Sequence, residues 1–292
     1  MNSILEIVQK RLAEKLNLEI EIQSNSSLGG GCINHASKLV TSAGVFFLKW
    51  NNHCASDVFL REAESLKELR KEQNPYLKIP EVILYKKLDS TPGFLLLEYL
   101  EPSSGFDNDA NMGRGLATIH LITSEKFGFS NDNYCGDTIQ DNLWNINWID
   151  FYGQQRLLHL VNLIKQERSL DSSSIKLYEK LYEKLPELIP EESTPALIHG
   201  DLWSGNYMLT SQGPALIDPA SYYADREMEM GIMTMFGGFS QQFWSGYNEV
   251  YPLPNDWADR NKLYQLYHIL NHYYIFGGGY GHQAISVARK YI

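Results

Sequence analysis

The chain has 292 residues, 43% of them hydrophobic, which suits one large domain or two closely joined lobes around a substantial core. Its formal charge of -10, with no clustered Lys/Arg run, excludes a nucleic-acid partner held by phosphate neutralisation and suits a cationic small substrate. Cys32, Cys54 and Cys135 are scattered and odd in number, giving neither a CxxC metal pair nor a disulfide framework, so a reducing cytoplasm is expected.

The opening residues interleave charge with Ile4, Ile7, Val8, Leu12 and Leu16 at helical spacing, unlike the unbroken apolar stretch of a signal peptide. No segment approaches the roughly 18 apolar residues of a membrane span, and no membrane partner is expected. Short apolar runs then predict strands over 20–24, 33–41, 45–50, 82–87 and 94–99, with a hairpin turn at 42–44. Between the third and fourth lies 57–72, where Phe59, Ala63, Leu66 and Leu69 predict an amphipathic helix. Beyond residue 105 the pattern turns helical and aromatic, with helices expected over 108–123, 147–168, 173–185, 225–236 and 257–276. A β-rich interruption, PALIHGDLWSGNYMLTSQGPALIDPA, separates them. The expected division is a sheet-rich lobe over 1–100 and a helical lobe over 101–292.

Chemistry concentrates in LIHGDLWSGN, followed by an apolar segment that delivers Asp218. Asp201, an asparagine five positions later at Asn206, and Asp218 seventeen positions on supply a proton acceptor and two oxygen ligands. Phosphoryl transfer to an alcohol needs those parts, because Mg²⁺ takes hard oxygen donors and the acceptor must be held in line. Asp201 is therefore the expected base, and Asn206 with Asp218 the expected metal ligands. His199 is expected to be structural and His120 to be packing.

Lys49 ends the strand VFFLK, and Glu62 follows thirteen residues later inside the next helix. A strand lysine oriented by a helix glutamate can hold the α and β phosphates of ATP. Glu64 competes for that pairing, but Glu62 lies beside the apolar stripe and is chosen. Gly29, Gly30 and Gly31 could bring backbone amides to phosphate, although the run does not match a P-loop. Glu98 and Leu100 could offer backbone groups to adenine. Gly277–Gly279 follow a helix and read as its stop.

These residues resemble the fructosamine kinase (ketosamine-3-kinase) family through GGGCIN, FLKWN, MGRGLATIH, FGFSNDNYCG, HGDLWSGN, IDPASYYADREMEM and LYHILNHYYIFGGGY. The resemblance implies an α+β, protein-kinase-like bilobal fold with a small β-rich N-lobe and a larger, mainly helical C-lobe. It also implies ATP and Mg²⁺ as cofactors, and phosphorylation of the sugar 3-hydroxyl in ketoamines, either small molecules or glycated proteins, leading to deglycation. It makes Trp203 and His272 sugar-site residues, Asp225 and Glu229 structural supports, and Cys32 a candidate redox thiol. Relatives usually carry aspartate where Glu229 stands. A kinase of an aminoglycoside, choline or homoserine, or a non-catalytic kinase fold, would share the broader motifs. Monomer or homodimer, and ribulosamine or fructosamine, are left open.

Overall fold

The computed structural model describes residues 3–29, 34–103, 109–168 and 170–292. It opens on helix α1 (Ile4–Leu16), whose start is fixed by a reciprocal capping box between Ser3 and Glu6. Strands β1 (Ile22–Ser27), β2 (His35–Thr41), β3 (Gly44–Asn51), β4 (Val82–Lys86) and β5 (Gly93–Glu98) form one antiparallel sheet in the order β1-β2-β3-β5-β4. Helix α2 (Val58–Leu69) crosses between β3 and β4. The turn into β3 uses Gly44 at a φ of 133°, a conformation that side chains disfavour.

Because side chains alternate along a strand, each face of this sheet builds a different core. Phe46, Leu48, Phe94 and Leu96 pack with Val8 and Leu12 of α1. Leu95 and Leu97 instead join Phe59, Ala63 and Leu66 of α2 in the larger core. Lys49, one position on from Leu48 and paired with Leu95, shares the α2 face. This parity brings it to Glu62.

The larger core continues into the helical part. Helix α3 (Asp109–His120) is followed by the hairpin β6 (Asn133–Cys135) and β7 (Thr138–Gln140). Helix α4 (Trp148–Tyr152) runs through a π-helical stretch, Gly153–Leu158, into α5 (His159–Glu167), and α6 (Ser172–Leu188) packs alongside that stretch. The π-helical stretch buries Gln155 and Arg156, and the Arg156 guanidinium lies 4.0 Å from the Tyr222 ring centroid. Two strand pairings then place the central loops. Strand β8 (Ala196–Ile198) pairs with β11 (Tyr222–Ala224), and β9 (Tyr207–Thr210) with β10 (Gly213–Leu216). Helices α7 (Glu227–Phe236), α8 (Gln241–Val250), α9 (Trp257–Phe276) and α10 (Tyr280–Ala288) complete the chain. No helix among the described residues is long and apolar enough to cross a membrane.

The expected strands and most helices are present with shifted ends. Helix α7 starts at Glu227, so Asp225 precedes it, whereas α9 has the predicted bounds. Gly277 and Gly278 adopt φ values of 69° and 63° after α9, the backbone of a helix stop. Helices α8 and α10 and the β6–β7 hairpin were not expected. In α8 the glycine, Gly246, is a contact residue. A Cβ at Gly246 would lie 2.2 Å from the Ala110 carbonyl oxygen, and one at Gly113 would lie 2.0 Å from that of Phe243. Helices α3 and α8 therefore cross backbone to backbone.

Gly113→Ala should destabilise the protein by about 1–3 kcal/mol or more, because backbone rather than a flexible side chain must move. Gly29→Ala, where an added Cβ meets nothing within 4 Å, should stay within about 0.5 kcal/mol. Urea unfolding, read as a midpoint shift at unchanged slope, checks both.

Candidate active site

Lys49 Nζ lies 3.0 and 2.9 Å from the two Glu62 carboxylate oxygens and 3.0 Å from Asp218 Oδ1. Burial opposes the Lys49 charge, but the Asp218 and Glu62 carboxylates outweigh it and raise the pKa above its ordinary value. The ammonium is held charged. Glu64, the rival partner, turns away to pair with Arg61 at 3.0 Å. The helix face beside the apolar stripe decided between them.

Between β8 and β9 the chain forms the loop that carries Asp201. Gly200 adopts a φ of 87°, and a Cβ there would lie 2.1 Å from the Ala220 carbonyl oxygen. Glu229, projecting from α7, accepts from the backbone N–H of His199 at 2.5 Å, of Gly200 at 3.2 Å and of Leu202 at 3.4 Å. Burial would raise the Glu229 pKa, yet His120, His199 and the His199 amide hold it below the usual glutamate value. His199 donates through Nε2 to the Ile217 carbonyl at 2.9 Å and accepts at Nδ1 from the Asp201 N–H at 3.4 Å. His199 is thus a loop brace, and burial lowers its pKa. His120 lies against Tyr247 at 2.7 Å and 3.8 Å from Glu229, so it underpins the same carboxylate besides packing.

Asn206 donates from its amide nitrogen to the Asp201 carbonyl at 2.7 Å and to Asp201 Oδ2 at 3.1 Å. That commitment leaves its amide oxygen as the atom for an outside ligand. Asp218 is 43% exposed and sits at a φ of 55°, the left-handed region. Two oxygen donors, one a carboxylate open to solvent, match what Mg²⁺ takes from protein when phosphates and water complete its shell. Asp201 itself is half-buried, and burial, followed by the Glu229 charge, pushes its pKa up to about 8.

Trp203 and His272 do not touch each other but are joined through Phe236. The Phe236 ring centroid lies 6.2 Å from that of Trp203 and 5.3 Å from that of His272. Phe276 and Tyr280 flank His272 at 5.7 and 5.1 Å, and Trp203 and Phe236 are 40% and 47% exposed. An aromatic wall therefore starts two residues from Asp201. His272 donates through Nδ1 to the His268 carbonyl at 2.7 Å, which leaves Nε2 as an acceptor on that wall. Asp225 lies just before the Arg226 N-cap of α7, accepting from the Glu227 N–H at 2.8 Å and from the Ser193 hydroxyl at 2.7 Å. The two acids thus divide the support, Asp225 taking the helix start and Glu229 the loop.

The Glu98 N–H is spent on the Glu81 carbonyl at 2.9 Å, which removes that donor from the groups open to adenine. Leu100 is buried. Gly29 is exposed, whereas Gly30, Gly31 and Cys32 lie outside the described residues. Phe236 and Phe276 escaped the sequence reading. The signal for Phe236 was its place at the end of α7, before a Gly-Gly pair.

A five-stranded sheet carrying a lysine–glutamate pair, over a helical part carrying an aspartate–asparagine loop and a second aspartate, defines a protein-kinase-like phosphotransferase. Within that class the chain belongs to the fructosamine kinase family, whose model matches residues 4–292. It is 35% identical over 288 residues to a candidate ketoamine kinase of Vibrio parahaemolyticus, covering 98% of each chain. It is 35% identical over 275 residues to the chloroplastic protein-ribulosamine 3-kinase of Arabidopsis thaliana, covering 93% of this chain and 83% of that one. Among solved structures, a candidate fructosamine-3-kinase of Haemophilus somnus superposes with a TM-score of 0.84 at 25% identity, covering 98% and 96% of the two chains.

Glu229→Gln should keep the shape of the side chain but turn an amide toward the loop N–H groups it serves, costing about 1–3 kcal/mol. Faster hydrogen exchange at the Gly200 and Leu202 amides, with a lower unfolding temperature, is the expected result. Unchanged values of both would show that the carboxylate does not hold the loop. Because the folded pKa of Glu229 lies below the unfolded value of about 4.3, its contribution is present above that range. Acidification through the folded pKa removes it.

Proposed function

We propose that this chain is an ATP-dependent kinase that phosphorylates the 3-hydroxyl of the sugar in ribulosamine or fructosamine adducts. The observation that carries this reading is full-length membership of the fructosamine kinase family, with two of the relatives above named for ketoamine or ribulosamine phosphorylation. The aromatic wall beside Asp201 supports it, because a sugar face and a cationic ketoamine nitrogen both suit aromatic surfaces.

In this reading Lys49, steadied by Glu62, holds the α and β phosphates of ATP. The Gly29–Gly31 run and the backbone at Glu98 and Leu100 bound the nucleotide, with the Glu98 carbonyl rather than its N–H facing adenine. Asn206 and Asp218 are the residues that would hold Mg²⁺, which would supply charge neutralisation at the phosphoryl group. Asp201 accepts the hydrogen bond of the sugar hydroxyl, aligns its oxygen, and takes the proton as the new O–P bond forms and ADP departs. Trp203 and His272 seat the sugar. The product carries phosphate on the carbon next to the ketoamine carbonyl; loss of a proton from the carbon between nitrogen and carbonyl gives an enaminol that expels phosphate, and water then hydrolyses the resulting imine to the free amine and a deoxyosone, all without the enzyme. The substrates are free ketoamines or ketoamine groups on proteins, met in the cytoplasm.

ATP consumption with a synthetic ribulosamine and a synthetic fructosamine, set against an aminoglycoside, choline and homoserine, tests the substrate class. Turnover of a ketoamine is expected, and turnover of another alcohol alone would overturn the reading. Asp201→Ala should lower kcat by roughly a hundredfold or more, with nucleotide affinity retained. Near-normal turnover in that variant would remove Asp201 from the role of base.

A further inference from the structure

Behind the base lies a group that the phosphoryl-transfer chemistry does not use. Cys135 ends β6, His268 sits within α9, and Asp201 opens the loop after β8. The Cys135 sulfur, a ring nitrogen of His268 and a carboxylate oxygen of Asp201 all lie within 4.8 Å of one another. Among the described residues they are the one set of three such ligand atoms drawn this close.

Two further observations separate this set from ordinary core packing. His268 is 1% exposed, yet its Nδ1 is buried without a hydrogen-bond partner in the structure, an uncommon state for a buried polar atom. The Cys135 sulfur is meanwhile held in place, accepting from the Asn271 amide at 3.3 Å, and Asn271 accepts in turn from the Thr138 hydroxyl. A supporting hydrogen bond behind a ligand atom is how metal sites fix their first shell. The charges acting on the group are the Asp201, Glu229 and Asp218 carboxylates, opposed by His272 and the Arg156 guanidinium, and the Cys135 thiol is itself hydrogen-bonded to the Asp201 carboxylate.

We propose that Cys135, His268 and Asp201 form an inhibitory site for a thiophilic divalent cation of the Zn²⁺ type, with a fourth position open to water. One sulfur, one imidazole nitrogen and one carboxylate oxygen make a donor set that Zn²⁺ binds tetrahedrally, whereas Mg²⁺ prefers oxygen alone. The site is therefore chemically distinct from the Asn206–Asp218 pair. Binding needs no redox partner: the Cys135 thiol releases its proton to solvent and the thiolate ligates the ion. A carboxylate engaged as a ligand does not accept the substrate proton, so occupancy stops phosphoryl transfer. Metal binding itself does not depend on the ketoamine reading; only the loss of turnover rests on it.

The test titrates Co²⁺ alone into the full chain in excess Mg²⁺ and records the absorption spectrum. Tetrahedral d–d bands with a thiolate-to-cobalt charge-transfer band are expected, and Zn²⁺ should displace both. Cys135→Ser should abolish the charge-transfer band and His268→Gln should weaken Co²⁺ binding at least about tenfold. Cys32→Ser and Cys54→Ser should retain the band. In turnover with a ketoamine, half-inhibition by Zn²⁺ should rise at least about tenfold in Cys135→Ser, each protein being referred to its own zinc-free rate. Absence of the band in the wild-type chain overturns the site, as does its loss in Cys32→Ser or Cys54→Ser rather than Cys135→Ser. Zinc inhibition relieved by Mg²⁺ and unchanged in Cys135→Ser would assign the effect to the Asn206–Asp218 pair and overturn it equally. If Cys135→Ser fails to fold, retention of the band in Cys32→Ser and Cys54→Ser assigns the thiolate to Cys135 by exclusion, and none of these spectra requires turnover of a ketoamine.

Discussion

The position of Asp201 depends on one buried carboxylate. Glu229 is fully buried, and a charge there is tolerable only because three loop amides and two histidines surround it. Its helix is fixed in turn: Arg260 of α9 grips Glu227 at 2.7 and 2.8 Å, and Asn261 and Gln265 bond Thr234. The loop is thereby referenced to the longest helix in the chain. The same helix carries His268 and His272, so Asp201, aromatic wall and thiol cluster share one frame.

The second constraint joins that frame to the five-stranded sheet. Lys49 reaches Glu62 in α2 and Asp218 beyond β10 with one ammonium, and between α2 and β4 the Lys78 N–H bonds the Pro214 carbonyl of β10 at 2.8 Å. A lysine in contact with two carboxylates keeps its charge despite burial. Polar groups that would be costly alone are affordable as a set.

Much of this was legible because it is local. Asp201, Asn206 and Asp218 fall within one short stretch, and Lys49 and Glu62 lie on adjacent elements whose apolar periods set their facing sides. Helix α9 was read to its ends, since Gly277 stops it. Helix α8 was not, because it buries only Phe243, Gly246 and Tyr247, and Gly246 serves a close crossing that no periodicity encodes. Helix α10 follows a glycine run that masked its start. The meeting of Cys135 with His268, and of Phe236 with Trp203 and His272, joins distant segments and so leaves no pattern in the chain. The loop glycines Gly30 and Gly31, with Cys32, fall outside the described residues.

The alternation of faces along β3 has a consequence for how this chain can drift in length. One residue inserted between Gly44 and Lys49 would carry the ammonium to the side lined by Val8, Leu12 and Leu96, and would turn an apolar side chain toward Glu62. Neither face could absorb the exchange. Insertions in the two-residue turn at Ser42 and Ala43 leave that parity intact. Variation in length should therefore collect in the turns and connections of the sheet, while the interval from Gly44 to Lys49 stays fixed wherever the lysine–glutamate pair is kept.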